Sequence, residues 1–484
     1  MSDSPVRLDP RNKVVLTVLL ISTFVVFLNE TILGVALPQI MAHLHITPST
    51  GQWLSTSYML VMAIVIPTTG FMLQRFSLRR AYILAMSLFT VGTLIGALAP
   101  DFSILLLARI VQASGTAIMM PLLMTNVMEL VPEAIRGKIM GTISIVMSVA
   151  PAIGPAVSGL ILSVLDWRWL FWLMLPIAAV TLLIGTMRIS SINVPKKIRV
   201  DALSVVLSAL GFSGLVYGLS SFADAARGTS VVSPYIPLLA GIVFFTLFVW
   251  RQLVLQRQDR ALLDLRPFRS SEFTIAIVLM AVFMMSLFGV VILIPIYAQN
   301  VLGVTALTTG LFLLPGGLLM GFMGPFVGRL YDRFGARALI VPGAVVVALS
   351  LWGMVLFNAT TWPGWILVDN VTLSLGLAFI FTPLFTVSMS SVPPQLYSHG
   401  SATIGTVQQL AGAAGTALFV TVMTIVASAT SGGQANFQPT TDQLAHGMQA
   451  AFLCGAILST LALIPAAMIR QAASSETIAE ELQP

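Results

Sequence analysis

Val14–Leu37, read as VVLTVLLISTFVVFLNETILGVAL, holds a single ionisable side chain, Glu30. At a rise of about 1.5 Å per residue, a helix of this run is longer than the roughly 30 Å hydrocarbon core of a bilayer. The basic tail ahead of it (Arg7, Arg11, Lys13) imitates the start of a signal peptide. The apolar run is too long for one, however, and no small-x-small cleavage pattern precedes Pro38, so the segment reads as a retained membrane helix.

Thirteen more runs of the same kind follow, at residues 52–73, 80–99, 103–128, 138–163, 168–188, 201–222, 235–255, 272–298, 309–330, 337–357, 363–391, 402–429 and 447–470. With 57% hydrophobic and 9% charged residues, a soluble fold of 484 residues would lack the polar surface to cover itself. The expectation is an all-α membrane protein with fourteen transmembrane helices.

The basic residues orient it. All of the 24 Lys and Arg fall in the two tails or in every second gap, except Arg109 inside the fourth run and Arg168 and Arg227 in the alternate gaps. The excess of basic residues marks the cytoplasmic side, which places both termini there. The net charge of +6 is a product of this bias and gives no reason to expect nucleic acid as a partner. Cys454 is the lone cysteine, and His43, His45, His399 and His446 lack metal-ligand partners at suitable spacing, so neither a disulfide nor a metal site is expected. No nucleophile–base pair or phosphate-binding loop points to an enzyme or to a cofactor.

A glycine–acid–arginine turn occurs twice and groups the helices. Gly328-Arg329-Leu330-Tyr331-Asp332-Arg333-Phe334-Gly335 follows the tenth run; Gly70-Phe71-Met72-Leu73-Gln74-Arg75-Phe76-Ser77 follows the second. Two halves of seven would put the later copy after the ninth run. Its position implies two pseudo-symmetric six-helix bundles, residues 14–190 and 272–470, with an inserted helix pair in a linker at 191–271 and tails at 1–13 and 471–484. Ala150, Gly154 and Ser158 in the fifth run are matched by Ala411 and Gly415, beside Gly412 and Thr416, in the thirteenth. Small residues at four-residue spacing let helix backbones approach closely in lipid.

Charge at membrane depth is costly and usually functional. Glu30, Arg109 and Asp369 each lie about 6–9 Å below the outer surface by their distance along their runs. If their helices face one cavity, the three converge. A carboxyl group there feels desolvation on one side and a nearby Arg on the other, and can load and release a proton as access alternates. Glu30 is the leading candidate, with Arg109 driving release; the alternative is a fixed salt bridge that positions helices. Asp369 is either a second functional carboxylate or a hydrated group near the surface. Met119, Met120, Phe283, Met284, Met285, Phe288 and Phe379 are candidates to line an adaptable apolar pocket, against the plainer reading of core or lipid-facing side chains.

Several stretches together resemble the fourteen-span drug:proton antiporters of the major facilitator superfamily. They are Thr31-Ile32-Leu33-Gly34-Val35-Ala36-Leu37-Pro38; Arg109, Gln112 and Gly115; and Ala150-Pro151-Ala152-Ile153-Gly154-Pro155 with Gly159. Trp167-Arg168-Trp169 and, in the second half, Pro295, Tyr297, Gln299, Gly303, Gly310, Pro315 and Asp332-Arg333 agree in order and spacing. The resemblance covers nearly the whole chain. It implies alternating access, proton coupling through Arg109 and its carboxylate partner, and a hinge or seal at Gly154, Pro155 and Gly159. It also implies an inner gate at Arg75, Arg79, Asp332 and Arg333.

Three departures stand out. Leu28 is followed by Asn29 and then Glu30 where the family often has Asp directly after the Leu, so the carboxylate is shifted by about 100° around the helix. Gln74 and Ser77 replace the usual acid and Gly of the first turn, with Glu129 or Glu133 as compensating acids, and Ala113 replaces a frequent Gly. The resulting expectation is a monomeric, proton-coupled exporter of small amphipathic, cationic compounds in a bacterial cytoplasmic membrane, needing no cofactor beyond protons. The alternatives are an exporter of one metabolite, lipid or siderophore, and a receptor that binds without transporting.

Overall fold

The computed structural model describes residues 10–131, 149–150, 153–189, 201–226, 228, 232–258, 260–393, 396–429 and 440–469. Within them the chain forms helices α1 (Pro10–Leu44), α2 (Pro48–Gly51), α3 (Trp53–Arg75), α4 (Leu78–Leu98), α5 (Phe102–Leu130), α6 (Ile153–Leu162), α7 (Arg168–Arg188) and α8 (Ala202–Ala226). They are followed by α9 (Tyr235–Leu255), α10 (Ser271–Ile296), α11 (Ala306–Phe334), α12 (Arg337–Val355), α13 (Gly364–Ser390), α14 (Tyr397–Ala429), α15 (Thr441–Leu461) and α16 (Leu463–Met468). No strand occurs among the described residues. Among the described residues, twelve helical segments are long and apolar enough to cross a membrane. The second expected run is the helix α3, which is not among those twelve. Half of the fifth lies outside the described residues, leaving α6 as a shorter apolar helix. The protein is an all-α membrane protein.

Local chemistry sets the helix starts. Asp101, Ser270 and Thr305 each accept a hydrogen bond from a backbone N–H of the first turn, at Ile104, Phe273 and Thr308. Thr440 and Gln443 form a reciprocal capping box at α15. Prolines sit inside eight of the long helices, Pro38 and Pro121 among them; buried helical neighbours in lipid tolerate this. After Pro295 the end of α10 widens into a π-turn, Tyr297–Val301.

Helices α1, α3, α4, α5 and α7 pack on one another, as do α10 to α15. Helix α3 also packs along α14, and α8 leans on both. Met59, Leu60 and Ala63 of α3, Phe212 and Val216 of α8, and Ala413 and Ala417 of α14 form one buried apolar cluster. Polar contacts hold one end of α8, from Gln52 Nε2 to Ser220 Oγ (3.1 Å) and from Ser49 Oγ to Asp224 Oδ1 (3.0 Å).

Beyond α9, Asp264 is held by a fork from Arg266, whose Nε lies 2.8 Å and Nη2 2.5 Å from Oδ2. Burial alone would raise the Asp264 carboxyl, but the hydrogen bonds and charge of Arg266 hold it below the usual carboxylate range. Its backbone N–H donates to His399 Nδ1 of α14, so the loop between α9 and α10 is tied to α14.

Candidate functional site

Arg109 lies two turns into α5, 1% exposed, where a guanidinium survives only if its donors are met. Its Nε donates to the Leu54 carbonyl at 3.2 Å. Its Nη1 donates to Asn29 Oδ1 (3.2 Å) and Gln112 Oε1 (3.0 Å). The Tyr58 ring stacks beneath it, 3.9 Å from Cζ to the ring centre, a cation–π contact. Two of these partners are themselves fixed by further hydrogen bonds. Gln112 Nε2 donates to Thr93 Oγ1 (2.9 Å), and Tyr58 OH donates to Thr116 Oγ1 (2.7 Å), which donates to the Gln112 carbonyl.

Helices α1, α3, α4 and α5 thus converge on one cation whose acceptors are all neutral. Glu30, the next residue along α1, is half-buried and within Coulombic reach of Arg109. Among the described residues, no hydrogen bond or ion pair joins the two. The one-residue shift noted in the sequence therefore has a definite outcome: Asn29 takes the place against the guanidinium and Glu30 stands beside it.

Asp369 is placed elsewhere. It is 9% exposed on α13, facing α12, where Ser350 Oγ donates to its Oδ1 (2.8 Å) and to its backbone carbonyl (3.1 Å). Its Oδ2 has no hydrogen-bond partner among the described residues. Glu30 and Arg109 are brought together; Asp369 shares no contact with either among the described residues.

Of the pocket candidates, Met119 and Phe283 are fully buried in the core, while Met120, Met284, Phe288 and Phe379 are half-buried. The Phe288 ring lies against Gly412 of α14, and Phe379 packs on Gly343 of α12. An apolar groove of about 420 Å³ between α1 and α7 is lined by Val18, Ile21, Pro176, Thr181 and Ile184, and the Thr181 hydroxyl is turned to the carbonyls of its own helix, so the groove presents no polar surface.

At the end of the molecule where α1 finishes, helices from the two parts of the chain meet backbone to backbone. A Cβ at Gly159 would lie 2.6 Å from the Ala306 carbonyl, and one at Gly310 would strike the Pro155 carbonyl. Gly154 abuts Thr31. Gln299 Nε2 donates to the Val35 carbonyl (3.0 Å), and Thr56 and Thr416 share a 2.6 Å hydrogen bond. Towards the other end, Gly324 and Gly328 of α11 have no neighbour at the Cβ position among the described residues.

At that other end Arg75, Arg79 and Arg333 are exposed. The side chains of Gln74, Glu129 and Asp332 lie outside what is described, as do Arg7, Glu133, Arg136, Lys138, Pro151, Ala152, Lys196, Lys197, Arg199, Arg227 and Arg470. The two turns differ in backbone. Gly335 has φ 78°, whereas Ser77, its counterpart, has φ −65° and needs no glycine.

Sequence reasoning had Arg109, Gln112 and Glu30 in hand but gave Asn29 no role and missed Tyr58, Thr93 and the Leu54 carbonyl. The only signal for Asn29 was its place directly after Leu28.

Comparison with known proteins agrees with this picture. The profile of the Major Facilitator Superfamily matches residues 19–416. The MFS-type transporter YcnB of Bacillus subtilis is 38% identical, with 96% of each chain covered. The lincomycin resistance protein LmrB of Listeria monocytogenes is 37% identical over 94% of this chain and 96% of its own. Among solved structures, the human organic anion transporter MFSD10 (TETRAN) matches in fold with a TM-score of 0.59 at 15% identity, covering 95% of this chain and all of that one. The relatives are transporters rather than enzymes, and the chain belongs to the major facilitator superfamily.

Proposed function

We propose that this chain is a fourteen-span, proton-coupled antiporter that exports small amphipathic, cationic compounds across a bacterial cytoplasmic membrane. Both termini are cytoplasmic in this reading, and the working unit is a monomer of two six-helix bundles with α8 and α9 inserted between them. The packing pairs support the bundles. The α1–α5, α3–α5, α4–α5 and α4–α7 contacts recur eight runs later as α10–α13, α11–α13, α12–α13 and α12–α15. Export of drugs is supported by the resistance proteins among the relatives.

The observation that carries the mechanism is the half-buried Glu30 beside an Arg109 that it does not touch. A carboxylate free of a contact ion pair is available to a proton or to a cationic substrate, and one neutralises it at the expense of the other. Substrate entering from the cytoplasm displaces the proton, the bundles rock, and a proton from outside displaces the substrate. The close contacts of Gly159 with Ala306 and of Gly310 with Pro155 support a state in which the outer seal is shut. Arg75, Arg79, Asp332 and Arg333 form the inner gate of the opposite state. Met120, Met284 and Phe288 line the apolar part of the pocket, backed by Met119, Phe283 and Phe379. Asp369 adds a second negative charge for dications.

The test is ethidium efflux from proteoliposomes under an imposed pH gradient. Glu30→Gln, which fixes the side chain in a neutral form that offers the cation no charge, is expected to lose gradient-driven efflux and most ethidium exchange with it. Unchanged driven efflux in the variant overturns the role of Glu30, and absence of driven efflux in the wild type overturns proton coupling to this substrate class.

A further inference from the structure

We propose that Asn29 is a positioning residue that makes Glu30 the exchangeable carboxylate, by giving Arg109 a neutral acceptor so that its charge stays uncancelled beside Glu30. The proposal rests on the proton-coupling reading above and adds to it the residue that sets the working range.

A guanidinium carries five N–H donors and no acceptor. Here the mapped acceptors are the Leu54 carbonyl, Asn29 Oδ1 and Gln112 Oε1, all uncharged, and the fourth contact is the Tyr58 π-face. Three of the five donors thus meet neutral oxygens, and no anion is hydrogen-bonded to the cation among the described residues. A carboxylate at position 29, 3.2 Å from Nη1 in the place of the amide oxygen, would form a contact ion pair and cancel the guanidinium charge.

Glu30 projects about 100° further around α1, and the cation acts on it through space. Among the described residues, the charged and titratable groups that face this centre are Glu30 from α1, Tyr58 from α3 and Arg109 from α5. With Arg109 uncancelled, Glu30 gives up its proton more readily than it would beside a neutral pair. Substrate binding needs that release, so Asn29 sets the pH range over which exchange runs. Gln112 occupies the same guanidinium nitrogen from α5 and offers an independent place to insert an anion.

The experiment measures ethidium exchange in proteoliposomes against pH, with equal pH on both sides, for wild type, Asn29→Asp and Gln112→Glu. Either added anion is expected to move the pH of half-maximal exchange to the alkaline side by about one unit, the size of the effect one neighbouring charge has on a carboxyl group. A wild-type midpoint in either folded variant, judged by a single gel-filtration peak and a wild-type melting transition, overturns the proposal. Should neither variant fold, Asn29→Ser, which keeps a neutral oxygen, is expected to hold the wild-type midpoint, and a shifted midpoint there overturns it. Failure of the underlying reading is a separate result: Glu30→Gln would then keep driven efflux and its wild-type pH profile.

Discussion

Arg109 in the first half and Asp369 in the second are both buried ionisable groups on transmembrane helices, and their surroundings are built in opposite ways. The guanidinium meets three oxygen acceptors and an aromatic face, and both Gln112 and Tyr58 are held in turn by further hydrogen bonds. The carboxylate has one side-chain donor, Ser350, and leaves Oδ2 buried with none. The same contrast, a demanding local chemistry in one half and a relaxed one in the other, recurs at the loop turns, where Gly335 has a positive φ and Ser77 does not. Helix contacts of the first part recur in the second, but the caged guanidinium and the positive-φ turn glycine are each found, among the described residues, in one of the two parts and not at the matching place in the other. Function in such a molecule is to be sought where the symmetry fails.

The strongest way to break the comparison is Arg109→Met. The replacement fills much of the volume but leaves Asn29 Oδ1, Gln112 Oε1 and the Leu54 carbonyl without their donor. Each buried unsatisfied acceptor costs about 1–3 kcal/mol, offset in part by no longer burying a charge. The expected outcome is a loss of about 2–4 kcal/mol in thermal or denaturant melts, together with loss of exchange. Arg109→Lys is expected to restore some stability but little exchange, because an ammonium cannot serve the three acceptors and stack on Tyr58. If Arg109→Met melts like the wild type, the cage is not a structural centre.

Next in size is Gly335→Ala. With φ 78° and ψ 174°, Gly335 occupies a region almost closed to residues with a Cβ. A loss of about 1–3 kcal/mol is expected, read as an earlier melting transition. An unchanged melt would mean that the turn between α11 and α12 relaxes freely, and the loop contrast between the halves would disappear.

Asp369→Val is expected to change stability by less than about 1 kcal/mol, or to raise it, because it removes an oxygen that has no partner while Ser350 keeps the Asp369 backbone carbonyl. A cost as large as that of Arg109→Met would show that Oδ2 is satisfied in the membrane, and the two centres would then be alike. In transport, the same variant should keep exchange of monovalent cations and weaken that of dications. Equal loss of both would remove Asp369 from substrate charge recognition.

The helices were legible because apolar runs of bilayer length have few alternatives: Tyr235–Leu255 coincides with its expected bounds, and Ser271–Ile296 differs by one or two residues. What the runs concealed was rotation. In lipid a helix is apolar on its packed face and on its outer face alike, so nothing in the pattern around Asp369 says that it faces Ser350 of α12. For the same reason Met119 and Phe283 could be proposed for a pocket although both are buried in the core. At the Arg109 centre the polar residues were visible one by one. Their assignment depended on a single step of α1, with Asn29 and not Glu30 on the guanidinium, and a helix end uncertain by a few residues cannot fix a step of that size.

The smallest effect is expected at Ser77, and it sharpens the loop contrast from the other side. Ser77 precedes α4 with φ −65° and ψ 152°, an extended conformation open to any residue, and its hydroxyl makes no capping bond. Restoring glycine in Ser77→Gly would therefore relieve no strain. It would only widen the conformations available to the unfolded chain, at a cost of a few tenths of a kcal/mol, about 0.5 at most. A more stable Ser77→Gly would mean that the backbone here is pressed towards positive φ, as at Gly335, and that the two turns are the same structure after all. A slightly less stable one, beside a clearly less stable Gly335→Ala, would show that the first half gave up its glycine because its turn no longer needs one.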